Sequence, residues 1–119
     1  MLKLNHGEVW LANLNPGRGT EPGKTRPVLI VQSQALLDAG HPSTLVLPLT
    51  TRLTDDAEPL RLRLPAQDQL EQDSDALVDQ LHAVDSRRLI GQVLATCDAE
   101  FMRRVCAALC EVMDVPNAV

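Results

Sequence analysis

Short apolar runs separated by turn-forming residues make up most of the chain before residue 97. Runs of this length, rich in β-branched and large aliphatic residues, are typical of β-strands. In one of them, residues 60–64, leucine and arginine alternate, as expected for a strand with one buried face. The pattern predicts strands at 7–14, 26–32, 44–50, 60–64, 74–82 and 90–96, and a turn or short helical piece at 33–40.

The last part of the chain changes to helical periodicity. Asp98 is placed to cap a helix, and Glu100 adds favourable charge in its first turn. The apolar residues that follow at helical spacing are Phe101, Val105, Ala108, Leu109 and Val112. Short strands followed by one amphipathic helix predict a mostly β fold, a small barrel closed or covered by a C-terminal α-helix.

Length and composition bound the class of protein. The 119 residues, 45% of them apolar, suffice for one domain with its own core, and no linker or repeat divides residues 1–119. The apolar runs are too short to cross a bilayer, and residues 1–5 do not begin a signal peptide. We therefore expect a cytoplasmic protein with no membrane partner.

Net charge is -5 and only 2% of the residues are aromatic, which argues at first against a nucleic-acid partner. The charge is unevenly distributed, however. Residues 1–63 carry seven Lys and Arg against six Asp and Glu, whereas residues 64–119 carry four against ten. The segment 15–26 holds Arg18, Lys24 and Arg26 with only Glu21 opposing them. This predicts a local cationic patch, with the acidic second half lying away from it.

Cysteines and carboxylates give no metal site by spacing. Cys97, Cys106 and Cys110 are odd in number, so we expect no disulfide framework, and we interpret them as buried apolar thiols. Asp75 and Asp79 alternate along a predicted strand and are interpreted as solvated carboxylates. Neither a metal nor a cofactor is expected.

The strands 26–32 and 44–50 form a plausible antiparallel pair. One register places Arg26 opposite Thr50 and also pairs Val28 with Pro48, Ile30 with Val46 and Gln32 with Thr44. A guanidinium fork beside a hydroxyl suits a phosphate group. The alternative stays open at this point: Arg26 then only begins a strand, and Thr50 is an ordinary strand residue.

Four sequence motifs carry a resemblance to a known family. The first reads Gly-Glu-Val-Trp at 7–10, Gly-Thr-Glu at 19–21 and Arg-Pro at 26–27, followed by an aliphatic strand. Pro-Leu-Thr-Thr at 48–51, Asp-Gln-Leu at 79–81 and Val-Asp at 84–85 follow. Over nearly its whole length the chain resembles the MazF/PemK family of toxin–antitoxin endoribonucleases.

The resemblance implies an SH3-like barrel of the MazF/PemK/CcdB toxin type, forming a homodimer. It implies a sequence-specific, metal-independent endoribonuclease, an mRNA interferase that cuts single-stranded RNA. The 2′-hydroxyl would attack the adjacent phosphate, leaving a 2′,3′-cyclic phosphate and a 5′-hydroxyl. The resulting growth arrest would be relieved by a cognate antitoxin protein, for which we expect an acidic and apolar tail over the cationic site.

By resemblance, the catalytic residues are Arg26 and Thr50. A guanidinium stays protonated near neutral pH and is a poor general base, so Arg26 is expected to stabilise the phosphorane, and the general base stays open. The residues expected to bind substrate are Arg18, Thr20, Glu21, Lys24, Thr51, Gln80 and His82.

Two departures from the family pattern affect this assignment. The loop reads Glu21-Pro-Gly-Lys24 where the family has Glu-Gln-x-Gly, which bears on sequence specificity. His82 stands where the family has Lys or Arg; it either faces the substrate, as a base or a pH-sensitive contact, or is a structural or exposed histidine.

Two other functions remain open. One is a non-enzymatic toxin of the same fold that poisons a protein target such as DNA gyrase. The other is an SH3-like interaction module without toxicity. The presence of Arg26 and Thr50 favours the ribonuclease, because a protein binder does not require them at those positions.

Overall fold

The structure is a computed structural model and describes residues 3–14 and 25–116. Two α-helices lie within these ranges, α1 (Gln34–Asp38) and α2 (Ala99–Val112), together with single 3-10 turns at Val78–Gln80 and Ser86–Arg88. The strands are β1 (Glu8–Asn13), β2 (Thr25–Ile30), β3 (Ser43–Thr50), β4 (Arg61–Leu64), β5 (Ser74–Leu77), β6 (His82–Asp85) and β7 (Leu89–Thr96).

All strand pairs are antiparallel, in the order β4-β5-β3-β2-β1-β7, and β6 also pairs with β3. The two ends of this sheet meet where the chain after β4 reaches β7, since the amide of Gln69 donates to the carbonyl of Leu94 over 2.8 Å. The sheet therefore curls into a small barrel. This confirms the predicted mostly β fold with a C-terminal helix.

The predicted register of β2 against β3 is correct. Val28 pairs with Pro48 and Ile30 with Val46. Beyond the pair of Ile30 with Val46, a side chain joins the two segments. The Gln32 side chain donates to the Ser43 carbonyl (3.0 Å) and accepts from the Leu45 amide (3.1 Å). Gln32 thus replaces a backbone pair with its own amide group.

Two apolar clusters lie on opposite faces of the curled sheet. One contains Leu29, Leu47 and Leu49 and is covered by α2. The other contains Val28, Ile30 and Val46, and also Trp10, which is 3% exposed and donates to Glu8. The predicted cap of α2 is confirmed, because the Asp98 carboxylate accepts from the Phe101 amide over 2.8 Å.

The prediction of one strand over 74–82 is wrong. The chain forms β5, then the turn Val78–Gln80, then β6. β5 pairs with the Leu49–Thr50 end of β3, and β6 pairs with its Ser43–Val46 end. The turn lets the chain step from one half of β3 to the other. Gln80 therefore lies in the turn and His82 on β6, so the two residues do not share one continuous strand with Ser74.

The three cysteines differ in exposure, and the prediction of buried thiols is correct only for Cys97. Cys97 is buried, Cys110 is half-buried and Cys106 is exposed. Burial, with Asp98 and Asp68 nearby, raises the pKa of Cys97 to about 11. Within the part of the chain that the structure describes, no helix is long and apolar enough to cross a membrane.

Candidate functional site

Arg26 and Thr50 occupy equivalent ends of neighbouring strands. Arg26 is the second residue of β2 and pairs with Ala12 of β1, while Thr50 is the last residue of β3. The observed pairing of Val28 with Pro48 leaves Arg26 and Thr50, each two residues further along its strand, at the same end of β2 and β3. Both side chains are half-buried. That the guanidinium and the hydroxyl act on one phosphate stays a prediction.

The Thr50 hydroxyl has a defined local geometry. The backbone amide of Arg52 donates to Thr50 Oγ1 over 3.2 Å. Because this bond uses an acceptor position of the oxygen, the hydroxyl proton can be donated in another direction. Thr51 and Arg52 follow beyond the strand end and are both exposed.

A buried carboxylate lies beside Thr50. Asp75 of β5 pairs directly with Thr50 and is 1% exposed. Arg63 Nε donates to its Oδ1 over 2.6 Å and the Thr54 amide to its Oδ2 over 2.8 Å. Burial opposes ionisation, but these two bonds outweigh it and hold the pKa of Asp75 below its ordinary value.

Two expectations from the sequence are therefore wrong. The first is that Asp75 is a solvated carboxylate: it is buried and ion-paired, whereas Asp79 is exposed as predicted. Asp75 also shows that the acidic second half of the chain reaches the site. The cause is the pairing of β5 with the end of β3, which brings a distant charge next to Thr50.

The register places a row of side-chain positions across the sheet. On one side Arg63 pairs with Asp75 and Asp75 with Thr50, and on the other side Arg26 pairs with Ala12 and Ala12 with Leu89. The residue before Leu89 is Arg88, whose Nη1 donates to the Asn13 carbonyl over 3.2 Å. Because Asn13 pairs with Thr25, the residue before Arg26, the Arg88 guanidinium lies one strand away from Arg26.

Sequence reasoning missed Arg88 and Arg52 as members of this site. Arg52 directly follows the Thr50-Thr51 motif, so its position along the chain was an available signal. Arg88 carries no such signal, since it is near Arg26 only through the pairing of β1 with both β2 and β7.

His82 lies apart from Thr50. His82 pairs with Val46, four residues before Thr50 on β3, which corresponds to about 13 Å along the strand. His82 Nδ1 is 2.8 Å from the Gln80 carbonyl. Since a carbonyl can only accept, this bond requires the proton on Nδ1 and leaves Nε2 as the acceptor in the neutral ring. The side-chain oxygen of Gln80 is buried and has no hydrogen-bond partner among the described residues.

Other predicted site residues lie outside the described ranges: Arg18, Thr20, Glu21 and Lys24. Within residues 3–14 and 25–116, no group of three or more His, Cys, Asp or Glu side chains is arranged to hold a metal ion. A polar cavity of about 610 Å³ adjoins the Thr50 side of the site, lined by residues 54–58 with Arg61, Arg63 and Asp75.

The fold is a small antiparallel barrel with a C-terminal helix, and Arg26 and Thr50 lie at the same end of two neighbouring strands. Residues 5–113 match the family model described as PemK-like, MazF-like toxin of type II toxin-antitoxin system. The chain belongs to this family.

Solved structures give the same fold. MazF from Deinococcus radiodurans is 23% identical, with a TM-score of 0.78 over 97% of this chain and 100% of that one. The Mycobacterium tuberculosis toxin MazF-mt6 is 21% identical, with a TM-score of 0.74 over 92% and 98%. An endoribonuclease from a mycobacterial species, in complex with its cognate antitoxin, is 19% identical, with a TM-score of 0.73 over 99% and 100%.

Proposed function

We propose that this chain is a single-domain toxin endoribonuclease that cuts single-stranded RNA at a specific sequence. The observation that supports the proposal is the pairing of Val28 with Pro48, because Arg26 and Thr50 each lie two residues further along these strands, at the same end. Membership of a toxin family and the endoribonuclease named among its structural neighbours support the same activity.

In the proposed reaction a ribose 2′-oxygen attacks the adjacent phosphorus while the bond from phosphorus to the 5′-oxygen breaks. The 2′-hydroxyl proton is taken up by a base, and the 5′-oxygen receives a proton as it leaves. The products are a 2′,3′-cyclic phosphate and a 5′-hydroxyl. Negative charge builds on the non-bridging oxygens, where the Arg26 guanidinium and the Thr50 hydroxyl donate hydrogen bonds.

Arg26 serves in this scheme as an electrostatic stabiliser, because a guanidinium is a poor proton acceptor near neutral pH. His82 has the chemistry of a base but lies about 13 Å along β3 from Thr50. We therefore assign His82, together with Gln80, to a flanking nucleotide.

RNA recognition is proposed to depend on hydrogen bonds and phosphate contacts. Trp10 is buried within the barrel and offers no stacking surface. The residues proposed to contact RNA around the cleaved phosphate are Arg18, Thr20, Glu21, Lys24 and Thr51, joined by Arg52 and Arg88.

The proposed assembly is a cytoplasmic homodimer inhibited by a cognate antitoxin. Neighbouring structures include MazE–MazF complexes from Deinococcus radiodurans. An acidic antitoxin segment over the cationic site would compete directly with RNA. Neutralising Arg18, Lys24 and Arg26 together should weaken antitoxin binding; unchanged binding would contradict this mode of inhibition.

The experiment is digestion of a long RNA by the purified chain in EDTA. The wild type should cut, Arg26→Ala should not, and Thr50→Ala should be slower by about 10²–10³-fold. Arg103→Ala is a matched control, because Arg103 lies on α2, which covers the opposite face of the sheet. Absence of cutting by the wild type together with tight binding to DNA gyrase would favour the protein-poison alternative.

A further inference from the structure

The four residues after Thr50 are held in place by three polar contacts. The Arg52 amide donates to Thr50 Oγ1 (3.2 Å), and Arg61 Nη1 donates to the Arg52 carbonyl (3.2 Å). The Thr54 amide donates to Asp75 Oδ2 (2.8 Å). These residues form no regular secondary structure, and 51–54 are all exposed. Their conformation therefore depends on the side chains that bind their backbone.

Asp75 is the most strongly fixed of these side chains. It is 1% exposed, Arg63 Nε donates to its Oδ1 over 2.6 Å, and Arg63 Nη2 also donates to Asp55 over 2.9 Å. Asp75 is paired with Thr50 between β5 and β3, so the backbone of Asp75 is fixed relative to the Thr50 hydroxyl. One carboxylate thus connects a rigid strand to the irregular segment 51–54.

We propose that Asp75, oriented by Arg63, is a positioning residue that aims the Thr50 hydroxyl at the phosphate. This inference rests on the proposed function. With Thr54 held by Asp75, the Arg52 amide stays on Thr50 Oγ1, and the hydroxyl proton is directed toward the non-bridging oxygen. Without this bond the segment 51–54 moves and the hydroxyl loses its fixed direction.

A buried carboxylate suits this task better than a neutral amide. Ionised Asp75 accepts from Arg63 and from Thr54 at the same time, one oxygen for each. An asparagine keeps one oxygen and replaces the other with a donor, which cannot accept from a backbone amide. Asp75→Asn is therefore nearly isosteric and removes one of the two bonds.

The test compares kcat and KM for RNA cleavage in a double-mutant cycle of Asp75→Asn and Thr50→Ala. We expect Asp75→Asn to lower kcat by about 10²-fold with KM within a factor of about two, because a small misplacement of a reacting group has this effect. In the Thr50→Ala background, the same change should lower the residual kcat by less than about twofold, since there is no hydroxyl to aim.

Val105→Ala provides a control for stability, because Val105 of α2 is buried in the core on the opposite face of the sheet. It should lower the melting temperature and leave kcat unchanged well below that temperature. If Asp75→Asn does not fold, Thr54→Pro provides the test: Thr54 is exposed, and proline lacks the backbone amide that donates to Asp75. The same kcat loss and the same dependence on Thr50 are expected.

Two results separate this inference from the proposed function. If the wild type cuts RNA but the Asp75 and Thr50 effects are additive, or kcat is unchanged, Asp75 is a structural residue and only this inference fails. If the wild type cuts no RNA, the proposed function fails, and the positioning role fails with it.

Discussion

Thr50 and Asp75 lie directly opposite each other on β3 and β5, so a half-buried hydroxyl and a buried, ion-paired carboxylate are neighbours at the end of the sheet. The pair connects the proposed reaction centre to the stability of the barrel. Substitutions at these two positions should therefore have different consequences, one mainly for activity and the other also for stability.

Replacing Asp75 should change how stability depends on pH. Its carboxyl has a lowered pKa in the folded protein, so the folded state binds fewer protons than the unfolded state as pH falls. The stabilisation is present above about pH 4, the ordinary aspartate value, and is lost as pH falls further. Melting temperatures measured from pH 7 to pH 3 should decline more for the wild type than for Asp75→Asn. Parallel declines would contradict the account.

Thr50 should be replaceable by a residue that keeps the hydroxyl. Thr50→Ser should retain most of the activity, whereas Thr50→Val, nearly the same in shape, should lose about 10²–10³-fold in kcat because one donor to the phosphorane is removed. Both variants should melt within a few degrees of the wild type. Steady-state cleavage of one RNA measures the difference; equal activity of the two variants would exclude the hydroxyl from the reaction.

Arg88 should contribute to RNA binding through charge. Its guanidinium lies one strand away from Arg26, so Arg88→Ala should weaken binding of an uncleavable, 2′-deoxy-substituted RNA. The slope of log K against log[salt] should become shallower by about 0.7, the value for one phosphate contact on a single strand. Fluorescence anisotropy at several salt concentrations gives the slope. Arg103→Ala is the control, and an equal change there would indicate only a general charge effect.

The three cysteines should react with thiol reagents at different rates. Cys106 is exposed, while Cys97 is buried and its pKa is raised to about 11 by burial and by Asp98 and Asp68. The thiolate is the reactive form, so iodoacetamide at pH 7.5 should label Cys106 first and Cys97 only after unfolding. Peptide mass spectrometry over time measures the order. Early labelling of Cys97 in the folded protein would contradict its placement in the core.

Much of the fold follows from local pattern. Alternation and apolar runs predict most strands, Asp98 predicts the start of α2, and the register of β2 against β3 needs only one antiparallel pair. These features depend on neighbouring residues or on one pairing, which is why the sequence is sufficient to predict them.

The features that the sequence did not predict depend on which strands pair at a distance. Asp75 reaches Thr50 because β5 pairs with the end of β3, and Arg88 approaches Arg26 because β1 lies between β2 and β7. The turn at Val78–Gln80 arises because β5 and β6 pair with different halves of β3. Periodicity describes the faces of a single strand and carries no information about its partners.

The central claim is that Arg26 stabilises a 2′-hydroxyl attack on phosphorus. The most direct measurement is the chemistry of the RNA ends made by the wild type and by Arg26→Ala in EDTA. We predict that the wild type leaves 5′-hydroxyl and 2′,3′-cyclic phosphate ends and that Arg26→Ala leaves none above background. Cleavage by Arg26→Ala at the wild-type rate, or wild-type fragments with 5′-phosphate ends, would contradict the account.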